Sequence, residues 1–473
     1  MAMTHPGCQS IGAGFFLFIA LFSSATPVGQ AQSPAHQVRA ADIVIPPDIG
    51  YVIQTTEPTL SATQPEAPVV IHIHEAHVNI EAQRHIIAIL EQLIQQHGLR
   101  LILLEGGEGD ASLSYLRAYG PLEDRKLVAE RYLTKGLLTG VEYLDMVSDA
   151  PLILWGVERQ ALYKQHINTF VELEALQQRL KPAVQAAQEV ARRLAPSLYE
   201  PALLELNDKA ASFESETLSL ADSAQFLSEH VTQAGLSLDT DAPQLATFVQ
   251  LSRMERAAAD PGALAKDPSY VSLRAQLEPA ILSEQLDALI IRLRSRLALS
   301  APSQRLQALQ EEVELTAKLV EQRLSPSEYR RLRALTLPGL AQRWQTFFSD
   351  QCRLHNVPVP SFERLGTLEQ ALPEFLGFYE IAAARDEALV ANTLAKLRET
   401  GEPLAVLITG GFHAPQIGAQ LTAAGLTIVS VVPKITTPTN ERLYQAVLNY
   451  KHGRGTLEAV NAAVTSTQRG TTQ

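Results

Sequence analysis

A chain of 473 residues, 46 % of them hydrophobic, is long enough for two or three domain-sized units or for one domain carrying a large insertion. A formal net charge of -12, with no basic face evident, argues against a nucleic-acid partner. Two cysteines, Cys8 and Cys352, exclude a disulfide framework, because Cys8 precedes an apolar N-terminal run and a processed chain would keep Cys352 alone.

Residues 12–25 include FFLFIALF and carry no charge, and Gly29 and Ala31 are small residues at -3 and -1 of a cleavage site. Residues 1–31 therefore read as an export signal, although the segment before the run lacks Lys and Arg. The expectation is a periplasmic or extracellular protein, attached to a membrane only if that signal stays uncleaved. Residues 32–68, rich in Pro, Thr, Ser, Ala and Gln, read as a linker with a short strand at 51–54.

Residues 69–161 form the first part of an α/β core. VVIHIHEAHV, residues 69–78, begins as a β-branched run suited to a buried parallel strand and ends in His72, His74, Glu75 and His77. A helix follows at 80–97, with Asn79 as its N-cap, an apolar face of Ile86, Ile87, Leu90, Leu93 and Ile94, and Gly98 as its stop. LRLILL, residues 99–104, is a second strand ending at Glu105, and Gly106-Gly107-Glu108-Gly109 reads as a turn. Residues 116–147 look helical. PLILWGV, residues 151–157, is a third strand ending at Glu158. Strand, helix and strand at this spacing make a right-handed parallel βαβ unit.

From 162 to 345 strand-like runs vanish and three-and-four spacing takes over, as in Phe170, Leu173, Leu176, Leu180 and Val184. This predicts a large all-helical insertion with a packing, lid or homo-oligomerisation role, and Ser325-Pro326-Ser327-Glu328 marks a helix start inside it. The α/β pattern resumes over 346–464: a helix at 378–398, a strand LAVLI at 404–408 running into Thr409-Gly410-Gly411-Phe412-His413, a short helix, a strand at 426–432 and a last helix at 440–450. Residues 465–473 read as a disordered tail. The fold class is α/β, a mainly parallel sheet with flanking helices, interrupted by the insertion.

Ligands of open α/β sheets sit beyond the carboxyl ends of the strands. Glu75, Glu105 and Glu158 end three strands there, and His77 and His413 each follow a strand in one of two βαβ units. Histidine there serves as a general base, oriented by Glu75 or Glu105, or as a metal ligand with a carboxylate beside it. His74 shares a strand face with His72 and lies nearer the pocket. There is no zinc-protease HExxH, no GxSxG elbow and no phosphate loop.

In order and spacing, HIHEAH, LLEGG, WGVE, AARDEAL and GGFH resemble the motifs of the erythromycin-esterase-like, ChaN-like and TraB/Tiki proteins. The resemblance spans about 69–159 and 379–432 and leaves out the helical middle; His74 stands where the family usually has glycine. It implies catalytic roles for Glu75, His77, Glu105, Arg385 and His413, with Arg385 holding an anion or developing oxyanion. Substrate contacts would fall to His74, Glu158, Gly410 and Gly411. In a metal-dependent branch His77, His413 and Glu105 would hold a divalent ion; in the ChaN-like branch the same region would bind haem. The expected activity is hydrolysis of an ester, lactone or peptide bond in a small-molecule or peptide substrate. The alternatives are a non-catalytic haem- or metal-binding protein and a helical interaction protein that has lost activity.

Overall fold

The computed structural model describes residues 38–58, 67–215, 217–277, 279–410 and 414–470. The predicted signal, the residues Gly411 and His413, and the last three residues of the tail lie outside them.

Seven strands build one sheet: β1 (Gly50–Thr56), β2 (Val69–Glu75), β3 (Leu101–Leu104), β4 (Glu108–Asp110), β5 (Ile153–Val157), β6 (Leu404–Gly410) and β7 (Thr427–Pro433). Their spatial order is β1-β7-β2-β6-β3-β5-β4. The five inner strands run parallel, and β1 and β4 close the two edges antiparallel. This is an α/β fold with a large helical region.

Alternation along the strands divides two apolar layers. Ile71, Ile73, Val406 and Ile408 pack on Ile86, Ile89, Leu90 and Leu93 of the helix Ile80–His97. That helix starts where Asn79 Oδ1 accepts from Ala82 N–H and stops at Gly98, whose φ of 65° suits glycine. On the other face Val70, Leu103, Ala405 and Leu407 meet Ile417 and Leu421 of the helix Ala414–Ala423, and Leu389 and Leu397 of the helix Leu365–Thr400. β2 leaves for β3 across β6, and β6 leaves for β7 across β2. The carboxyl ends of β2 and β6, where Glu75 pairs with Gly410, are thus a topological switch point.

Between β5 and β6 the described residues contain helices and no strand. Leu180, Val184, Leu309, Val313, Trp344, Phe348 and Phe375 form one helical core, and Leu206, Leu227, Leu245, Leu286, Leu289 and Leu293 a second. Ser325 and Glu328 make the reciprocal cap that starts the helix Pro326–Ala334. No helix among the described residues is long and apolar enough to cross a membrane.

Several local expectations change. β1 is longer than its predicted strand and edges the sheet, and Ile43 and Ile45 are buried in the core. The expected helix over 116–147 is three pieces, Ser114–Tyr119, Leu122–Leu133 and Gly140–Val147, parted at Gly120-Pro121 and at Gly136 (φ 66°). The glycine-rich turn after β3 leads into β4, whose Gly109 faces Gly156 of β5. A Cβ on Gly156 would lie 2.1 Å from a Gly107 backbone atom, so the strands meet there only because glycine is present. The helix Leu457–Gly470 carries regular structure into the predicted tail.

Leu103 is fully buried in β3. Leu103→Ala should lower stability by about 2–5 kcal/mol through lost burial and a residual cavity. A denaturant midpoint unchanged from the parent chain would contradict this packing.

Candidate functional site

A cavity of about 460 Å³ opens over the switch point. Its floor is Glu75, His77, Glu105 and Gly410. Gln83, Tyr163, His166, Ile167, Phe170, Phe378 and Arg385 wall one side, and Tyr444, Val447, Leu448, Lys451 and His452 another.

Glu75 is the last residue of β2. Three residues on, the chain turns sharply at Val78, a β-branched residue with φ 54°, a conformation that costs on the order of 1–3 kcal/mol. The turn brings His77 Nδ1 to 3.1 Å from Glu75 Oε2. Gln83 steadies the carboxylate from behind: its amide nitrogen donates to Glu75 Oε1 at 2.7 Å, and its oxygen accepts from Gly140 N–H at 2.6 Å. The Glu75 charge raises the His77 imidazole to about 9. Burial pushes Glu75 up, but the His77 charge and the bonds from His77 and Gln83 outweigh it and hold the carboxyl below its ordinary value. Near neutral pH the pair rests as imidazolium and carboxylate.

Glu105 follows β3. Its Oε2 accepts from Gly410 N–H at 2.7 Å and its Oε1 from Arg385 at 2.8 Å. A Cβ added to Gly410 would lie 3.6 Å from Glu105 Oε2 and 4.0 Å from His77 Nε2. The open space before Gly410 is therefore flanked by both groups, which is where a reacting atom would sit.

Arg385 is held from all sides. Its guanidinium donates to the fully buried Glu158 at 2.7 and 3.3 Å and to Glu105, meets His166 Nδ1 at 2.8 Å, and lies 5.0 Å over the Tyr163 ring. The expectation that Arg385 grips a substrate anion changes to one in which it positions Glu105. Glu158 lies behind Arg385 as its counter-charge and does not border the cavity.

His74 does not border the cavity either. Alternation puts it on the face of Val70 beside His72, with ring centroids 5.1 Å apart. Burial lowers His74 to about 4 and His72 to about 3, so both are neutral; His72 Nε2 meets Thr409 Oγ1 at 2.9 Å. Of the metal set, His77 and Glu105 approach the same space, His413 lies outside the described residues, and among the described residues no three His, Cys, Asp or Glu groups are arranged to hold an ion. Glu75 engages His77 through Nδ1, which leaves Nε2 as the ring nitrogen on the side of Gly410.

Gln83, Tyr163, His166, Gln322, Tyr444 and Lys451 were not among the sequence candidates. Gln83 carried a signal, since it is a polar residue on the apolar face of its helix. Gln322 also lines the cavity with a positive φ, 56°, and its buried amide nitrogen has no partner among the described residues. Thus, among the described residues, two of the three with positive φ other than glycine border this cavity, and such strain tends to gather in functional sites.

No family model, no curated protein and no solved structure matches the chain.

Removing Arg385 would leave Glu158 buried without its cation. Arg385→Ala should cost about 3–5 kcal/mol in denaturant unfolding, and Arg385→Ala with Glu158→Gln should recover a substantial part. Strictly additive losses would show that the pair is not coupled.

Proposed function

We propose that the chain is a hydrolase of carboxylic esters or lactones. The observation that carries this reading is the geometry before Gly410: His77 Nε2 and Glu105 Oε2 flank one open space, and Glu75 backs His77 through Nδ1. A histidine with a carboxylate on one nitrogen and a cavity at the other is equipped for general acid–base catalysis. Water would add to the ester carbonyl carbon while neutral His77 Nε2 takes one of its protons. The carbon–oxygen bond to the alcohol then breaks, and the imidazolium returns the proton to the departing oxygen. The products are a carboxylic acid and an alcohol. Glu75 stabilises the imidazolium between the two transfers, and Gln83 fixes Glu75. Glu105, held by Gly410 N–H and Arg385, would orient the attacking water by accepting a hydrogen bond from its other O–H, whose hydrogen stays with the acid product.

The resemblance drawn from HIHEAH, LLEGG, AARDEAL and GGFH supports the same reading. The mostly apolar cavity favours an ester or lactone over a peptide, whose amides would need several buried polar partners. An exported location follows as part of the proposal, from the apolar run of residues 12–25.

The pH profile tests the base. The Glu75 charge raises His77 to about 9, so the neutral form is the minor one at pH 7 and grows as pH rises. For a panel of p-nitrophenyl esters, kcat/KM should climb about tenfold per pH unit below that midpoint and level off above it. Glu75→Gln should lower the plateau and move the midpoint down toward the ordinary histidine value. Gly410→Ala, which puts a methyl in the reacting space at ordinary contact distances, should abolish turnover without unfolding the chain. A profile unmoved by Glu75→Gln would remove His77 as the base. A Soret band on haem addition, with no ester turned over, would replace the reading with haem binding.

A further inference from the structure

The cavity walls follow a regular pattern. Tyr163, His166, Ile167 and Phe170 lie at i, i+3, i+4 and i+7 on the helix Gln160–Leu198. Tyr444, Val447, Leu448 and Lys451 repeat that spacing on the helix Glu441–Lys451. Each is one stripe of a helix, and such a stripe ordinarily faces a protein core. Here both border the cavity. Ile167 and Leu448 are half-buried and belong to no hydrophobic core among the described residues. The helices approach at the rim, where the Tyr163 and His452 rings are 5.9 Å apart and Arg454 donates to Asn168 Oδ1 at 2.7 Å. The groups able to do chemistry on the floor, Glu75, His77, Glu105 and Gly410, all come from the strand ends. Most of the apolar side chains come from the helices, with Val78 and Leu138 added from loops, and Phe378 of the helix Leu365–Thr400 joins Phe170 at 6.3 Å between ring centroids.

From this division we infer that the substrate carries an uncharged, unbranched alkyl arm, which lies in the channel between the two stripes while its ester group rests before Gly410. The inference rests on the hydrolase reading and specifies its substrate class. An alkyl chain gives Ile167 and Leu448 the apolar partner that the fold withholds. It also asks for no hydrogen bond from Ile167, Phe170, Val447 and Leu448, whose side chains have none to offer. The cavity volume, about 460 Å³, is within the range of small-molecule sites and accommodates a medium-length chain. A charge on the part of the arm that lies against Ile167, Phe170, Val447 and Leu448 would be desolvated by four apolar side chains, and the lysine of the two stripes, Lys451, stands at the end of one of them. At the rim, the Lys451 stem can extend the apolar track while its ammonium stays in water.

Two series on the full chain decide the matter. In the first, kcat/KM is measured for p-nitrophenyl acetate, butyrate, hexanoate and octanoate. It should rise about two- to fourfold for each added methylene, as burial of a CH₂ allows. Ile167→Ser and Leu448→Ser should each cut the octanoate-to-acetate ratio by about tenfold, and their melting curves report whether the fold is kept. In the second, binding of 2-butanone, 2-hexanone and 2-octanone, which cannot be hydrolysed, is followed by calorimetry. Affinity should grow with chain length in the parent chain and lose that dependence in Leu448→Ser. Ester turnover that is flat with chain length would overturn the alkyl channel and leave the hydrolase reading standing. Chain-length-dependent ketone binding with no ester turned over would do the reverse. If an intact Ile167→Ser and an intact Leu448→Ser both keep the parent's octanoate-to-acetate ratio, the arm does not lie between the stripes.

Discussion

The buried guanidinium of Arg385 is the constraint on which the rest of the site depends. A cation this deep is tolerable only if every direction offers an acceptor or a ring. β3 supplies Glu105, β5 supplies Glu158, and the helix Gln160–Leu198 supplies His166 and Tyr163. These groups come from different parts of the chain, and only the native arrangement of sheet and helices brings them together. The charge cluster therefore reports whether the two regions are correctly joined. It also fixes Glu105 before Gly410, so that structural and chemical roles meet in one carboxylate.

Two long helices make that junction mechanical. The helix Leu365–Thr400 places Phe375 in the helical core and Leu389 and Leu397 in the sheet core, with Arg385 between them. The helix Gln160–Leu198 begins at the cavity with Tyr163 and His166 and ends deep in the helical core at Leu194. The helical region is thereby part of the site's wall as well as a packed body. The groups flanking the space before Gly410 sit on short strand-end segments, whereas most of the apolar lining sits on helices beside polar residues such as Gln83, Tyr163 and Lys451.

Much of this was legible in the sequence, and the exceptions have physical causes. The parallel strands β2, β3, β5, β6 and β7 announce themselves because both faces are buried, so their residues form near-continuous apolar runs. β4 has three residues and a central glycine, which read as a turn, and its pairing follows from the close approach of Gly107 and Gly156. Glu75, Glu105 and Glu158 were found because strand ends carry function in such sheets. Arg385 was found through its motif, but its role was not, since nothing local shows that Glu158 and His166 absorb its donors. Alternation put His74 on the face of His72 and its place near the strand end made it look like a pocket residue, but that face of β2 does not border the cavity. Phe170 was read as part of a packing stripe, and Tyr163 and Ile167 were not singled out, because a stripe that faces a cavity has the same spacing as one that faces a core.

The sheet order has a consequence for how the molecule is made. β6 lies between β2 and β3, and β7 flanks β2 on its other side, so the centre of the sheet is filled by strands near the end of the chain. Val69 finds Leu404 only after the whole helical region has been synthesised. Until then β2 and β3 have no native neighbour between them, and their apolar edges are open to pairing with other chains. Loop-closure entropy must be met across that interval before these contacts stabilise anything, which favours slow, late assembly of the sheet. The helical region has leucine-rich cores of its own, whose more local contacts carry a smaller closure cost than the pairing of β2 with β6.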